Sequence, residues 1–303
     1  MDYQEILDSV HAVVAPVVGG GRVAGDIPAL ATVPASHFAM ALATVDGEVY
    51  GVGDWHVPFS IQSVSKVFSL ALVLNREGEA IWQRVGREPS GSRFNALYQL
   101  EQDHGIPRNP FLNAGALVVV DRLLSLTGHA TEAVLDLLRT ETGTPAVGVD
   151  PAVAASEAEH RHRNAALAHL LTSYGNLVNP VETVLDQYTA QCAIAMTCRD
   201  LAVAGGFLAR HGLRADGRRL LSRSDAKRLN ATMSTGGTYD SAGEFAYRVG
   251  LPAKSGIGGG ILAVVPNRCT LAVWGPGLDE GGNSCTGLAA LDAFTTRTGW
   301  SVF

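Results

Sequence analysis

The chain has 303 residues, 47% of them hydrophobic and 17% charged, with a formal net charge of -6. That composition supplies material for a large core, in one large domain or two small ones. The acidic balance gives no electrostatic ground for nucleic acid or an anionic membrane as partner, and no apolar run approaches the ~20 residues that span a bilayer.

The opening MDYQEILDSVHAVV lacks the basic region and continuous apolar stretch of a secretory signal, so the expected compartment is the cytoplasm. Ile6, Val10, Val13, Val14, Val17 and Val18 recur at helical spacing up to Gly19-Gly20-Gly21. HFAMALATV and GEVYGVGDW then read as two strands joined at Asp46-Gly47, a hairpin turn signal. Helical patterns follow at Ser63–Leu74, Ala114–Leu126, Glu132–Thr142, Ala165–Thr172, Val181–Thr197 and Arg199–Arg210. GEFAYRVG, GGILAVVP and RCTLAVWGP read as a three-stranded meander, and SCTGLAALDAFTTRTGW as a closing amphipathic helix.

Segregated strands and helices predict an α+β fold. Its simplest closure is an antiparallel sheet of about five strands, pairing the two early with the three late ones. A single catalytic unit is expected over 1–303, with a sheet subdomain (1–61 plus 240–303) and an inserted all-helical subdomain (62–239). Cys192, Cys198, Cys269 and Cys285 lack metal-site spacing and read as reduced, buried thiols. His160 and His162 diverge on a helix with no third ligand in view, and Tyr174-Gly175-Asn176 reads as a turn.

The segment FSIQSVSKVFSL carries the chemistry. Ser63 and Lys66 form Ser-x-x-Lys, which one helical turn brings to a common face. A serine hydroxyl needs a base to become a nucleophile, and a lysine serves once burial lowers its pKa. The run after Lys66 is apolar nearly all round, so its helix must be buried, and a buried lysine needs a reason. Ser65 points elsewhere, Ser69 lies a turn further in, and Ser60 reads as an N-cap. Far along the chain, Lys254-Ser255-Gly256 precedes Ile257-Gly258-Gly259-Gly260 where a strand should begin. Acyl-serine enzymes of the penicillin-recognising type join a Ser-x-x-Lys helix to a Lys-Thr/Ser-Gly strand in this chain order. In such enzymes the strand supplies a backbone N–H to the oxyanion hole and its lysine adds positive potential.

These motifs, with IPALATV, TVDGEVYGVGD, PSGSRFN, GIPRNPFLNAGAL, SEAEHRHRNAALAHL, Tyr188 to Cys192, GEFAYRVGLPAKSGIGGGI and GNSCTGLAAL, resemble the bacterial serine-dependent glutaminases along nearly the whole chain. The resemblance implies a fold like that of serine β-lactamases and penicillin-binding proteins. It implies hydrolysis of the side-chain amide of L-glutamine through a glutamyl-serine ester, with no metal or organic cofactor. Ser63 is then the nucleophile, Lys66 its base, and the N–H groups of Ser63 and Ile257 the oxyanion hole, each donor worth ~3–4 kcal/mol of barrier. Tyr188 is a proton relay to ammonia, and Lys254 completes the catalytic set. Gln62, Asn113, Glu157, Asn164, Tyr188 and Tyr239 fall on glutamine-binding positions. Glu157 pairs with the substrate ammonium, and the asparagine amides and tyrosine hydroxyls hold its carboxylate. The family's tyrosine just before Ile-Pro is Asp26 here. A homo-oligomer, often a tetramer, is also implied. The competing readings are a penicillin-interacting hydrolase or peptidase of the same fold and a non-catalytic amino-acid sensor.

Overall fold

The early hairpin forms at its expected turn. Strands β1 (Ala39–Thr44) and β2 (Val49–Gly53) run antiparallel, Ala39 opposite Gly53 and Ala43 opposite Val49, in a computed structural model that describes residues 2–303. Gly47 takes φ 96°, a left-handed turn conformation that costs glycine little. The chain then passes β3 (Phe59–Ser60), β4 (Gly148–Val149) and β5 (Ile194–Met196) before β6 (Ala253–Ser255), β7 (Gly260–Val265) and β8 (Cys269–Trp274). Five of these make one antiparallel sheet in the order β2-β1-β8-β7-β6, so the early and late strands meet at the β1–β8 pair.

Period-two alternation divides that sheet between two cores. Ala39, Ala41, Leu262, Val264, Ala272 and Trp274 face the larger core, beneath the helix Cys198–Ala209. Met40, Leu42, Ile261, Ala263, Leu271 and Val273 face the smaller one, closed by the helices Tyr3–Val14 and Cys285–Thr298. Burial on both faces explains why these strands are apolar throughout.

Three local expectations are corrected. GEFAYRVG is not a strand: Ala242–Arg248 is helical, with Phe245 and Val249 buried one turn apart. The edge strand is β6, the Lys-Ser-Gly segment itself. The expected helix Val181–Thr197 stops at Cys192, and Ile194–Met196 becomes β5. That strand pairs with β3 (Phe59 opposite Met196) and with β4 (Gly148 opposite Ala195) in a second small sheet. Ser60 is no N-cap: it belongs to β3, and its hydroxyl donates to Cys192 O at 2.8 Å.

All four cysteines are free thiols. Cys192, Cys198 and Cys269 are buried, whereas Cys285 is only half-buried. Tyr174 ends a helix, and Gly175 turns the chain with φ 72°. Among the described residues no helix is long and apolar enough to cross a membrane.

Candidate active site

The small sheet fixes where the Ser-x-x-Lys segment begins. Ile61 N–H donates to Ile194 O at 2.9 Å, a tight 3-10 turn covers Gln62–Val64, and the α-helix Ser65–Glu77 continues from it. Every residue from Ser65 to Leu74 is buried, as the apolar run required. Gln62 enters this turn with φ 49°, a strained conformation for a residue with a side chain. Its amide donates to Ser60 Oγ at 3.0 Å, which places it beside Ser63 in the buried interior. Ser65 and Ser69 turn back on their own helix, donating to Gln62 O at 2.8 Å and Lys66 O at 3.2 Å. Of the segment's serines, Ser63 is the one whose hydroxyl is not spent on a backbone carbonyl; its hydrogen-bonding neighbour is Tyr239.

Lys66 is 3% exposed, and no carboxylate bonds to it. Its Nζ donates to Phe111 O at 3.1 Å and to Asn113 Oδ1 at 2.7 Å. Burial lowers its pKa to about 8, against an upward pull from Cys192 and Glu157. A neutral amine has two N–H donors and one lone pair. Both donors are used here, so the lone pair remains for a proton.

The amide of Asn113 is oriented by that lysine. With Oδ1 accepting from Lys66, its Nδ2 donates to Asn164 Oδ1 at 2.9 Å. The same logic leaves the Asn164 amine end free to donate elsewhere. Asn113 opens the helix Asn113–Thr127, and its side chain caps no backbone donor. Glu157, 5% exposed on the helix Pro151–Glu159, has a pKa raised by burial to about 7, while Gln62, Lys66 and His160 pull it down. A cation arriving there would find a carboxylate that gains much by pairing.

Tyr188 lies inside the helix Val181–Cys192, with its ring centroid 5.7 Å from Lys66 Nζ. Burial first, then Cys192 and Glu157, hold its phenol pKa well above the ordinary value, so it stays a neutral hydroxyl that can both accept and donate. Tyr239 adopts φ 61°, a second strained backbone in this constellation. Its hydroxyl donates to Ser255 O at 3.3 Å, with Ser63 as another hydrogen-bonding neighbour.

Lys254 is fully buried under Tyr239, Nζ 4.1 Å from the ring centroid. It donates to Gly237 O at 2.8 Å and to Ser255 O. Burial and the neighbouring Lys66 drive its pKa well below the ordinary lysine value, so the geometry makes it a brace between β6 and the segment carrying Tyr239. β6 then delivers Gly256 against the Ser63 backbone. A Cβ added at Gly256 would lie 2.7 Å from Ile61 O and 3.1 Å from Ser63 N, so only glycine allows this approach. The N–H groups of Ser63 and Ile257 donate to no acceptor among the described residues. Paired backbone donors of this kind can hold a developing oxyanion.

Ser63, Lys66, Gln62, Asn113, Asn164, Glu157, Tyr188, Tyr239, Lys254 and Ile257 are therefore drawn together from across the chain. Asp26 is exposed at a bend, though its neighbour Ile27 joins an apolar cluster that reaches Ile257. Sequence reasoning missed Cys192, whose thiol neighbours Tyr188, Lys66 and Glu157, and whose pKa burial pushes up to about 12. Its position four residues after Tyr188, one turn along the same helix, was the available signal. It also missed the structural part of Ser60 and the carbonyl of Phe111, which no side-chain pattern reports.

A family model described as Glutaminase matches residues 21–303. A curated glutaminase of Streptomyces coelicolor is 62% identical over 301 residues, covering 99% of this chain and 98% of that protein. One of Ralstonia nicotianae is 54% identical over 304 residues, covering both proteins completely at 100%. Among solved structures, a Bacillus glutaminase crystallised in the presence of 4.3 M NaCl superposes with a TM-score of 0.89 at 33% identity, covering 99% of each chain.

Proposed function

The chain belongs to the glutaminase family and hydrolyses the side-chain amide of L-glutamine to L-glutamate and ammonia; on that premise we propose that Ser63 carries the glutamyl group as an ester intermediate. Ser63 Oγ attacks the amide carbon while its proton passes to the lone pair of Lys66. The carbonyl oxygen becomes an oxyanion on the N–H groups of Ser63 and Ile257. As the C–N bond breaks, the proton held by Lys66 travels through the Tyr188 hydroxyl to the departing nitrogen, which leaves as ammonia. Water then attacks the glutamyl-Ser63 ester, Lys66 takes a proton from it, and the same oxyanion donors serve again. Glutamate leaves, and the proton returns to Ser63 Oγ.

The observation that carries this reading is the hydrogen bonding of Lys66. Both N–H donors of its neutral form are committed to Phe111 O and Asn113 Oδ1, and its pKa is lowered to about 8. Such an amine is poised as a base near neutral pH rather than as a fixed positive charge. Glu157 takes the substrate ammonium. Asn164 and the remaining Asn113 hydrogen hold the carboxylate, Tyr239, whose own hydrogen goes to Ser255 O, lines the pocket beside Ser63, and Gln62 lines the amide end. Lys254 acts by bracing Tyr239 and β6. The site lies where the sheet subdomain (1–61 plus 240–303) meets the 62–239 segment, which is mostly helical but, against the all-helical expectation, also carries β4 and β5. We further take the protein to be cytoplasmic and homo-oligomeric, as a tetramer.

Ammonia release from L-glutamine, with L-asparagine in parallel, tests the reading. Release from glutamine with asparagine slower by at least about tenfold is expected, since a side chain one methylene shorter misplaces the amide. No release from either amide would instead favour a non-catalytic amino-acid sensor.

A further inference from the structure

The turn that follows β6 holds Ile257 through a chain of peptide groups. The carbonyl partner of the Ile257 N–H, in the same peptide unit, is Gly256 O. That oxygen accepts from Gly259 N–H at 2.9 Å. The carbonyl sharing a peptide with Gly259 N–H is Gly258 O, and it accepts from the Trp274 indole Nε1–H at 3.0 Å. A trans peptide points its C=O and N–H in opposite directions. The bonds therefore run as a line from the indole, through two amide groups, to the Ile257 N–H, which donates to no acceptor among the described residues.

The donor at the head of this line is fixed in place. Trp274 ends β8, opposite Ala39 of β1 and Gly260 of β7, and is 2% exposed. Its ring stacks with Phe59, 5.0 Å away and 8° from parallel, and with His37, 4.8 Å away and 22° from parallel. The imidazole is itself anchored, its Nδ1 2.6 Å from Asp54 Oδ2. An amide whose carbonyl accepts a hydrogen bond becomes a stronger N–H donor, and linked amides strengthen one another.

We propose that Trp274 is a positioning residue for the reaction: its indole N–H orients and polarises the Ile257 N–H, through the Gly258–Gly259 and Gly256–Ile257 peptides, toward the oxyanion. This rests on the proposed role of Ile257 as an oxyanion donor. A donor that acts on the oxyanion affects the transition state and leaves ground-state glutamine binding untouched.

Trp274→Phe keeps a stacked ring and removes the N–H. On L-glutamine, kcat should fall about tenfold, a fraction of what loss of a whole oxyanion donor costs, with KM within about twofold. Glutamine affinity measured in a Ser63→Ala background should be the same with and without Trp274→Phe. His37→Ala, which removes one stacking face but keeps the N–H, should lower the thermal midpoint while kcat stays within about threefold. If Trp274→Phe does not fold, benzothienylalanine at position 274 keeps the tryptophan shape with sulfur in place of N–H and should show the same kcat loss. An unchanged kcat in the variant lacking the N–H overturns the proposal. So does a parallel loss of kcat and glutamine affinity, or an equal kcat loss in His37→Ala. Should Ser63→Ala alone retain turnover, the underlying reaction scheme fails; a dead Ser63→Ala beside a fully active Trp274→Phe refutes only the relay.

Discussion

Asn113 Oδ1 accepts from Lys66 Nζ at 2.7 Å, and this one bond joins the proposed base to the proposed substrate pocket. The amide keeps the lysine in place without charging it. Replacing it by a carboxylate would change the charge and little of the shape.

Asn113→Asp should therefore raise the Lys66 pKa, because an anion at hydrogen-bond distance favours the ammonium. The base form of Lys66 is needed, so activity of the unsubstituted protein should rise with pH and level off above about 8. In the variant that limb should move upward by at least about one pH unit. The kcat/KM profile over pH checks it, since this quantity reports groups of the free enzyme. An unmoved limb would take Lys66 out of the role of base.

Glutamine binding should release a proton. Burial holds the Glu157 pKa at about 7, and a substrate ammonium would favour the carboxylate and lower it. Below the ligand-free pKa of about 7 the free protein keeps Glu157 protonated while the complex does not, so proton release should be largest near pH 6 and vanish above pH 8. Calorimetry of the Ser63→Ala protein in buffers of different ionisation enthalpy measures it. Proton uptake near pH 6, or no linkage at all, would remove Glu157 as the ammonium partner.

Gly256→Ala should leave a folded protein with strongly reduced turnover. The added Cβ would stand 2.7 Å from Ile61 O and 3.1 Å from Ser63 N, both backbone atoms that cannot swing away. Separating the two oxyanion donors by even a few tenths of an ångström should lower kcat by about 10²-fold. Steady-state kinetics alongside a thermal melt separates this from unfolding, and a kcat within about threefold of the unsubstituted protein would contradict it.

Strands β1, β7 and β8 were legible because they are almost wholly apolar, buried on both faces, and end at plain turns. Asp46-Gly47 set the first hairpin, and the joining of early to late strands in one sheet followed from closure, though which strands meet did not. The burial of Lys66 could likewise be read from the residues around it. Ala242–Arg248 could not, because Phe245, Tyr247 and Val249 alternate like a strand while Phe245 and Val249 also fit a helical turn. Tertiary contact decided it: Phe245 is buried and Tyr247 is 88% exposed. The break after Cys192 was hidden for a similar reason, since a short apolar run such as 193–196 fits helix or strand equally. The motif placed Lys254 correctly in a strand but not its duty, which depends on the carbonyls of Gly237 and Ser255 and on the Tyr239 ring. Backbone partners leave no trace in side-chain identity, and so Phe111 O and the Trp274 relay emerged only in three dimensions.

The central claim is that Ser63 is the nucleophile, and Ser63→Ala addresses it most directly. The substitution removes the hydroxyl while Lys66 keeps both of its partners, Phe111 O and Asn113 Oδ1. Ammonia release from L-glutamine should fall by about 10⁴-fold or more, with glutamine still bound at close to the original affinity. Turnover retained within about tenfold would contradict the account and require a different group to attack the amide.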